Sequence, residues 1–315
     1  MKNKSMIKEI ASMETLRQAW QRVKENQGCR GSDGVTIEVF DWQAESHLAE
    51  LAQDLLNQTY APFPLMRFQV PKRNKQGLRY LSVPTIRDRV AQTSVYMVTR
   101  EIFEKEFESF SHAYRLGRGV RTAIKEIEFW RDKGYRHAVD ADIASYFDTV
   151  SHDRLMQKLM VLFKNDEICR LFEKWIRVQV YDGRQIWKLE KGIPQGSVVS
   201  PMLANLFLDE LDEMLMEFDR KLVRYSDDFI ILCKSEQEFE ETIELTDMIL
   251  EDMDLDLNPK KTQRVSFDSG FKFLGALFLY DKVYIPFPKK REKDFIPQLP
   301  PPLTLKRYIE LTLLK

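Results

Sequence analysis

Two adjacent carboxylates, Asp227 and Asp228, are the residues of this chain that point most directly to chemistry. β-Branched and aromatic residues at 222–225 and 229–232 flank them, which predicts a strand, a tight turn with both acids, and a second strand. Adjacent like charges raise at least one pKa unless something compensates. A divalent cation would compensate, because hard cations prefer carboxylate oxygen. The alternative is an ordinary solvated turn, where Asp is common.

A third acid lies upstream, in a segment that indicates a strand with acids at its end. The strand covers about residues 137–142 and ends at Asp142, and a helix is expected from residue 151. Together with Asp227 and Asp228 it would give three carboxylates on two adjacent strands. Such a set suits two metal ions roughly 3.5–4 Å apart for in-line phosphoryl transfer. One ion would activate an attacking 3′-hydroxyl, and the other would stabilise a leaving pyrophosphate.

Short motifs along the chain resemble, in order, those of a known enzyme family. Each is weak alone, but the full series in the correct order is specific. The motifs are NQGCRGSDGVT (26–36), VPKRNKQGLRYLSVP (70–84), DRVAQ (88–92), FSHAYRLGRG (110–119), DIASYF (142–147), GIPQGSVVSP (192–201), LNPKKT (257–262) and FLG (273–275), besides the acidic turn. On these motifs the chain resembles a bacterial reverse transcriptase of the group II intron-like lineage. Its basic, Pro-rich C-terminal segment, with FPKKR (287–291) and PPP (300–302), resembles the linker of the CRISPR-associated branch.

The resemblance implies an α+β right-hand polymerase fold, with fingers and a palm whose antiparallel sheet packs on helices. Because only forty residues follow Gly275, the thumb is expected to be short or absent. The implied division is a helical N-terminal extension (1–65), fingers interleaved with the palm (66–136), a palm with the catalytic acids (137–280), and a basic, Pro-rich linker or thumb remnant (281–315).

The implied activity is RNA-directed DNA polymerase, which adds dNTPs to a primer 3′-OH with two Mg²⁺ ions, or Mn²⁺ in their place. An RNA template, a DNA or RNA primer and dNTPs are the implied partners, together with a CRISPR integrase or another protein. The implied setting is CRISPR spacer acquisition from RNA or another antiviral defence. Two alternatives stay open: a template-independent nucleotidyl transferase, and a non-catalytic RNA-binding module of a larger complex.

The resemblance also assigns roles to individual residues. Asp142, Asp227 and Asp228 are the implied catalytic acids and metal ligands, and Ile143 joins the metal set. The residues implied to bind the incoming dNTP are Lys72, Arg79, Phe147, Gln195 and Lys261, and those implied to contact nucleic acid are Gly196, Arg115 and Arg118.

Each implied role has a physical reason and a plainer alternative. Lys72 and Arg79 would be cations on a fingers hairpin that grip the triphosphate, or members of a solvated basic loop. Phe147 would crowd a ribose 2′-hydroxyl, or it is a core aromatic at a strand-to-helix junction. Gln195 would contact the nucleotide through its amide. Gly196 would permit close approach of the backbone to nucleic acid.

Composition limits the remaining possibilities. The chain has 315 residues, 43% of them hydrophobic, which supports a real core. The sequence contains no apolar run of about eighteen residues or more, so no membrane-spanning helix is predicted. The charged N-terminus lacks the apolar core of a signal peptide. The three cysteines, at 29, 169 and 233, form no CxxC pattern, so neither zinc nor a disulfide framework is expected. We therefore expect a reduced, cytoplasmic protein.

The net charge of −1 conceals an uneven distribution of charge. Residues 66–136 hold sixteen Lys or Arg against eight Asp or Glu, whereas residues 236–256 hold ten acids and no Lys or Arg. This predicts a basic fingers region, suited to nucleic acid, and an acidic helix that faces away from it. Ser235 and Glu238 have the spacing of a capping box at the start of that helix.

Overall fold

The computed structural model describes residues 6–71, 77–164, 166–285 and 297–313. The helices of these ranges are α1 (Met6–Ile10), α2 (Met13–Asn26), α3 (Ile37–Trp42), α4 (Ala44–Leu56), α5 (Ile86–Glu106), α6 (Val120–Asp132), α7 (Tyr146–Thr149), α8 (His152–Phe163), α9 (Asp166–Ile176), α10 (Ser200–Glu217), α11 (Glu238–Asp252) and α12 (Leu305–Leu313). The strands are β1 (Leu65–Pro71), β2 (Leu78–Val83), β3 (His137–Asp142), β4 (Gln179–Tyr181), β5 (Ile186–Lys188), β6 (Lys221–Tyr225), β7 (Asp228–Cys233), β8 (Gln263–Ser266), β9 (Phe271–Phe273), β10 (Ala276–Leu279) and β11 (Lys282–Tyr284).

The chain forms two compact units that interleave along the sequence. The first unit comprises the described residues of Met1–Ile102, Ser151–Ser200 and Phe295–Lys315, and the second those of Phe103–Val150 and Pro201–Asp294. Residues 151–200, which the sequence assigned to the palm, group with the N-terminal part of the chain, and the division into fingers and palm stays a prediction.

The first unit is built from amphipathic helices and a four-stranded sheet of order β2-β1-β4-β5. In α2, Leu16, Ala19, Trp20 and Val23 are buried at helical spacing, and the Ser12 hydroxyl caps the helix by accepting from the Thr15 N–H. Full burial of such a side chain contributes about 1.5–3 kcal/mol. β1 and β2 form the antiparallel hairpin that the sequence predicts at residues 66–84.

The second unit contains the antiparallel sheet β6-β7-β3-β8 and the smaller sheet β11-β10-β9. β3 is central, and pairs with β7 on one side and β8 on the other. Side chains of α6 and of both sheets form one buried cluster that includes Ile127, Ile230 and Phe278. The expected α+β class, with an antiparallel sheet packed on helices, is confirmed.

The C-terminal segment contributes to both units. β11 completes the small sheet of the second unit. In the first unit, Leu303 N–H donates to the Ser32 carbonyl at 2.6 Å, and Arg30 Nη2 donates to the Pro300 carbonyl at 2.7 Å. The Pro-rich stretch therefore lies on the loop of the first sequence motif.

The acidic helix begins later than the sequence indicates. α11 starts at Glu238, after Gln237, so Ser235 is not its N-cap and the capping-box prediction is wrong. The Glu238 carboxylate instead accepts from the Lys234 N–H at 3.1 Å. None of the helices in the described ranges combines the length and the apolar character needed to cross a bilayer.

Candidate active site

The adjacent acids lie at the two-residue turn between β6 and β7, Asp227 in the turn and Asp228 at the start of β7. Tyr225 pairs with Asp228 to close the hairpin, which leaves Ser226 and Asp227 in the turn. Ser226 has a φ of 64°, in the left-handed region, which costs a residue with a Cβ atom about 1–2 kcal/mol. Residues 222–224 of β6 and 229–233 of β7 are buried, so the packing of the two strands holds this conformation.

The register of the sheet brings the third acid to this turn. Asp142, at the end of β3, lies directly opposite Asp228 on β7. Directly opposite residues of antiparallel strands project their side chains on the same face, with Cβ atoms about 4.5–5.5 Å apart. Asp140 precedes Asp142 by two residues and therefore shares that face. The sheet thus brings together the three acids that the sequence predicts, with a fourth beside them.

The carboxyls of this cluster perturb one another. Partial burial, followed by the charges of Asp227 and Asp142, raises the pKa of Asp228 to about 6. Burial, then the charges of Asp228 and Asp142, raises the pKa of Asp140 to about 7. Burial and the Asp142 charge also raise the pKa of Asp227. Such mutual repulsion is relieved by a proton or by a cation.

One cation of the chain already contacts this cluster. Lys261 Nζ lies 2.6 Å from Asp142 Oδ1, and Asn258 Nδ2 donates to Asp142 Oδ2 at 3.0 Å. The Asn258 N–H also donates to the Asp142 carbonyl at 2.8 Å. The sequence associates Lys261 with nucleotide phosphates, whereas the structure places its ammonium on the first palm acid.

The acids fit divalent metal ions by donor type and by register. Within the described ranges, however, no three His, Cys, Asp or Glu side chains converge as a ready metal site. Both Asp142 oxygens already have partners, Lys261 and Asn258, so ligation of a metal by this carboxylate would require local rearrangement. Ile143 is buried, and its backbone bridges to Leu257. Its side chain has no ligand atom, so only its carbonyl would serve a metal.

The predicted gate residue lies on the short helix α7. Phe147 is half-buried, and its ring centroid is 5.4 Å from that of Tyr146. The Tyr146 hydroxyl is buried and donates to the Ala204 carbonyl of α10 at 2.6 Å. The helix that carries Phe147 is thereby fixed to α10, while the Phe147 ring keeps a partly exposed face.

The Gln195 loop belongs to the first unit and pairs with β2 there. Ser82 N–H donates to the Gln195 carbonyl at 2.7 Å. Gly196 has a φ of +114°, and a Cβ atom on it would lie 3.0 Å from the Ser82 carbonyl oxygen. The close approach that the structure shows at this glycine is to β2, and the predicted contact of Gly196 with nucleic acid stays a prediction. Arg79, also on β2, is exposed, whereas Lys72 lies outside the described residues.

Two buried side chains fix the same loop. The Gln92 Oε1 atom accepts from the Ser197 hydroxyl and from the Val198 N–H, both at 2.9 Å. The His152 Nε2 atom lies 2.7 Å from the Gly192 carbonyl oxygen. Main-chain and side-chain bonds thus hold both ends of the loop, while the Gln195 side chain stays half-exposed.

The two predicted phosphate-binding arginines differ in the structure. Arg115 is 9% exposed, and its guanidinium donates to the Glu104 carboxylate and to the carbonyls of Phe107, Glu108 and Ser111. Its donors stabilise its own loop, so the prediction that it contacts nucleic acid is corrected. Arg118 is half-exposed and donates through Nη1 to the Ser109 carbonyl, so part of its guanidinium remains accessible.

A family model described as reverse transcriptase (RNA-dependent DNA polymerase) matches residues 70–278. The chain belongs to the reverse transcriptase family. Polymerases of this family generally use divalent metals, in keeping with the acidic cluster. The matched range contains every residue for which the sequence predicted a role.

Relatives of this reverse transcriptase include intron-encoded proteins. It is 32% identical over 210 residues to the group II intron-encoded protein LtrA of Lactococcus lactis subsp. cremoris, a match of 66% of this chain and 34% of that protein. It is 29% identical over 311 residues to Protein YkfC of Escherichia coli (strain K12), a match of 86% of this chain and 81% of that protein. The chain thus spans about a third of LtrA's length.

The fold is shared with telomerase. A structure of telomerase from Candida albicans, in complex with a fragment of telomeric RNA, superposes with a TM-score of 0.57 at 15% identity. The match covers 78% of this reverse transcriptase and 51% of the telomerase chain. At that identity the likeness concerns the fold alone.

The sequence did not predict two contacts of this reverse transcriptase, that of Gln92 with the Gln195 loop and that of Asn258 with Asp142. Gln92 and Asn258 lie inside quoted motifs, yet no role was assigned to either. A polar amide directly after the apolar residues Val90 and Ala91 was the available signal for Gln92, because buried polar groups require partners. Nothing in the sequence indicated that Asn258 contacts Asp142, since residues more than a hundred positions apart meet only through the β3–β8 pairing.

Proposed function

We propose that this chain is an RNA-directed DNA polymerase that extends a primer 3′-hydroxyl with dNTPs on an RNA template. The observation that carries the proposal is the β3–β7 register, which sets Asp142 opposite Asp228 beside the turn with Asp227. The family match supports the same activity. A solvated turn would not require a buried strand-end acid as its neighbour.

The three acids are the proposed holders of two divalent ions, Mg²⁺ or Mn²⁺. When bound, such ions lower the pKa of the attacking hydroxyl and stabilise the leaving pyrophosphate. Asp142 would then release Lys261, whose ammonium becomes available to the negative charge of a nucleotide phosphate. Asn258 retains its bonds to Asp142 and limits the rotation of that carboxylate.

The other proposed contacts are those that the motifs imply. Arg79, with Lys72 from outside the described residues, would bind triphosphate oxygens. The Phe147 ring would exclude a 2′-hydroxyl, and Gln195 would contact the nucleotide through its amide. Arg118 would contact a backbone phosphate. Each role follows from the motif match, and for the described residues also from the exposure of the side chain.

Primer extension on a defined RNA template tests the proposal. We expect the wild-type chain to extend a primer with Mg²⁺, and Asp227→Asn or Asp228→Asn to lower the rate by about a thousandfold or more, as loss of a metal ligand does. Asp148→Asn is the matched control, since Asp148 is an exposed acid close in sequence to Asp142. It should keep the wild-type rate.

Three results would contradict this assignment. Extension that persists in both turn variants would remove the acids from the chemistry. Addition of nucleotides without any template would favour a terminal transferase. A wild-type chain that binds the hybrid but never extends it would favour an RNA-binding module.

The biological setting is a separate proposal, namely spacer acquisition from RNA with a CRISPR integrase as partner. It is supported by the basic, Pro-rich sequence near residues 287–302. Size-exclusion chromatography of the chain with a purified integrase tests it: co-elution supports the partnership, and separate elution contradicts it. A cytoplasmic location likewise stays a prediction.

A further inference from the structure

A fully buried ion pair lies beneath the acidic turn in the second unit. Arg224 of β6 and Asp212 of α10 are each 0% exposed. Arg224 Nε donates to Asp212 Oδ1 at 2.7 Å, and Arg224 Nη2 to Asp212 Oδ2 at 2.5 Å. The pair is bidentate, the geometry that a planar guanidinium forms with a carboxylate.

The remaining donor of this arginine reaches the turn itself. Arg224 Nη1 donates to the Asn205 side-chain oxygen at 3.0 Å and to the Ser226 carbonyl at 3.3 Å. Ser226 is the strained turn residue that precedes Asp227. One guanidinium therefore joins two side chains of α10 to the backbone of the acidic turn.

α10 is itself held to further segments around the site. Asn205 Nδ2 donates to the Ala113 carbonyl at 2.8 Å, and the Tyr146 hydroxyl bonds to the preceding residue of α10. The Arg224 backbone pairs with the same loop as Asn205, because its N–H donates to the Phe110 carbonyl and its carbonyl accepts from the His112 N–H, both at 2.9 Å. The turn, the 110–113 loop and the gate helix thus share one support.

Stability alone is a poor explanation for this arrangement. Replacing a buried ion pair by well-packed apolar side chains is often neutral or stabilising, because both charges lose their hydration on burial. What apolar side chains cannot supply is a donor for the Ser226 carbonyl. A lysine can balance the Asp212 charge, but its single ammonium cannot span Asp212, Asn205 and Ser226 together.

We propose that Arg224, oriented by Asp212 and Asn205, is a positioning residue that fixes the conformation of the Ser226–Asp228 turn. Its effect on catalysis rests on the proposed polymerase function. Its effect on the turn does not, because the order of a backbone segment is measurable without any reaction.

Amide hydrogen exchange of the full chain, read at a peptide containing residues 221–233, is the first measurement. Two variants are compared with the wild type: Arg224→Lys, which keeps the charge, and Arg224→Met with Asp212→Leu, which removes both charges. In both we expect turn amides to exchange about tenfold faster or more, the effect of one lost charge-assisted hydrogen bond. Exchange in the first unit should be unchanged.

Primer extension supplies the second readout. We expect kcat to fall about tenfold or more in both variants, with little change in the KM for dNTP, because the turn positions the acids rather than the nucleotide. The matched control is Arg17→Gln with Glu45→Gln. That pair is also bidentate, with bonds of 2.9 and 2.7 Å, but it is exposed and belongs to the first unit.

The outcomes separate this inference from the proposed function. Wild-type exchange at the turn in Arg224→Lys overturns the positioning role, since charge balance alone would then suffice. An inactive wild type overturns the proposed function, while the exchange data still decide the positioning role. If the double variant does not fold, the comparison of Arg224→Lys with wild type decides alone.

Discussion

Asp88 illustrates how its surroundings set the charge of a single carboxyl. It is 1% exposed, and it accepts from the hydroxyls of Tyr60 and Thr85, each at 2.7 Å, and from the Phe63 N–H at 3.1 Å. Burial outweighs these bonds, which favour the charged form, and raises the pKa of Asp88 to about 6. Its titration is therefore linked to folding.

The raised pKa of Asp88 predicts the sign of a pH effect on stability. The folded state holds the Asp88 proton more tightly than the unfolded state, whose pKa is about 3.9. The resulting stabilisation is complete below pH about 4 and is lost as pH rises through about 6. We expect the free energy of unfolding to fall by about 2 kcal/mol over this range because of Asp88.

Urea unfolding at pH 4.5 and pH 7 measures this effect. Asp88→Asn should reduce the difference between the two pH values, whereas Glu50→Gln, at an exposed carboxyl, should leave it unchanged. An equal pH dependence in Asp88→Asn and wild type would show that Asp88 does not titrate in this range.

The positions of single residues were predictable where a motif and its neighbouring strands specified them. The three acids were predicted because their neighbours specify strands whose ends can meet. The burial of Arg115 was not, because composition counts every arginine as a surface cation. Only the folded loop shows that carbonyls of residues 107–111 use its donors.

At the scale of elements, β-branched and aromatic residues on both sides of the acidic turn predicted the hairpin at 222–232, and the fingers motif predicted the one at 66–84. Both are observed with ends within about one residue of those expected. Helix starts were less predictable, because a Ser–x–x–Glu spacing also occurs one turn too early, as at Ser235. The contact between β2 and the Gln195 loop had no local signal. It depends on a glycine whose positive φ and missing Cβ act together.

Gly196→Ala tests that contact between elements. We expect a loss of about 1–3 kcal/mol in stability, from left-handed strain plus a clash with a backbone carbonyl that cannot rotate away. The KM for dNTP should rise several-fold, since the loop carries Gln195.

Gly77→Ala is the matched control. Gly77 has a nearly equal φ of +116°, yet no described atom lies within 4 Å of the position that an added methyl group would take. This variant should lose only the stability that left-handed strain costs, about 1 kcal/mol. Equal losses in the two variants would show that the approach to Ser82 is unimportant.

At the scale of the whole molecule, fewer of the basic residues in 66–136 are available to bind nucleic acid than their number suggests. Several of its arginines are committed internally, so fewer cations face a nucleic acid than the count of sixteen indicated. The committed arginines are Arg87, paired with Asp54, the buried Arg89, Arg115 and Arg131, and Arg136, paired with Asp268 and Asp281.

Salt dependence of binding to an RNA–DNA hybrid tests this revised charge distribution. Each phosphate contact contributes just under one to the slope of log K against log salt. We expect Arg118→Gln to reduce the slope by about one, and Arg136→Gln, a doubly paired surface arginine, to leave it unchanged. A reduced slope in Arg136→Gln instead would show that its acidic partners release it to the hybrid.

The sequence predicted fingers interleaved with the palm at 66–136, but it did not indicate that residues 151–200 belong with the N-terminal part of the chain. Residues 151–200 join the N-terminal part through β4, which pairs in parallel with β1. Such a pairing links segments more than a hundred positions apart, and no local pattern encodes it.

The position of β3 between two later strands has a consequence during synthesis on the ribosome. β3 is synthesised first, and its partners β7 and β8 begin only at residues 228 and 263. At roughly 5–20 residues per second, β3 waits for about 4–17 seconds with both edges unpaired. Nascent strands in that condition are prone to pair with other chains. Asp140 and Asp142 place two like charges on this strand, so Asp142, which is proposed for catalysis, would together with Asp140 also oppose pairing between unfinished chains.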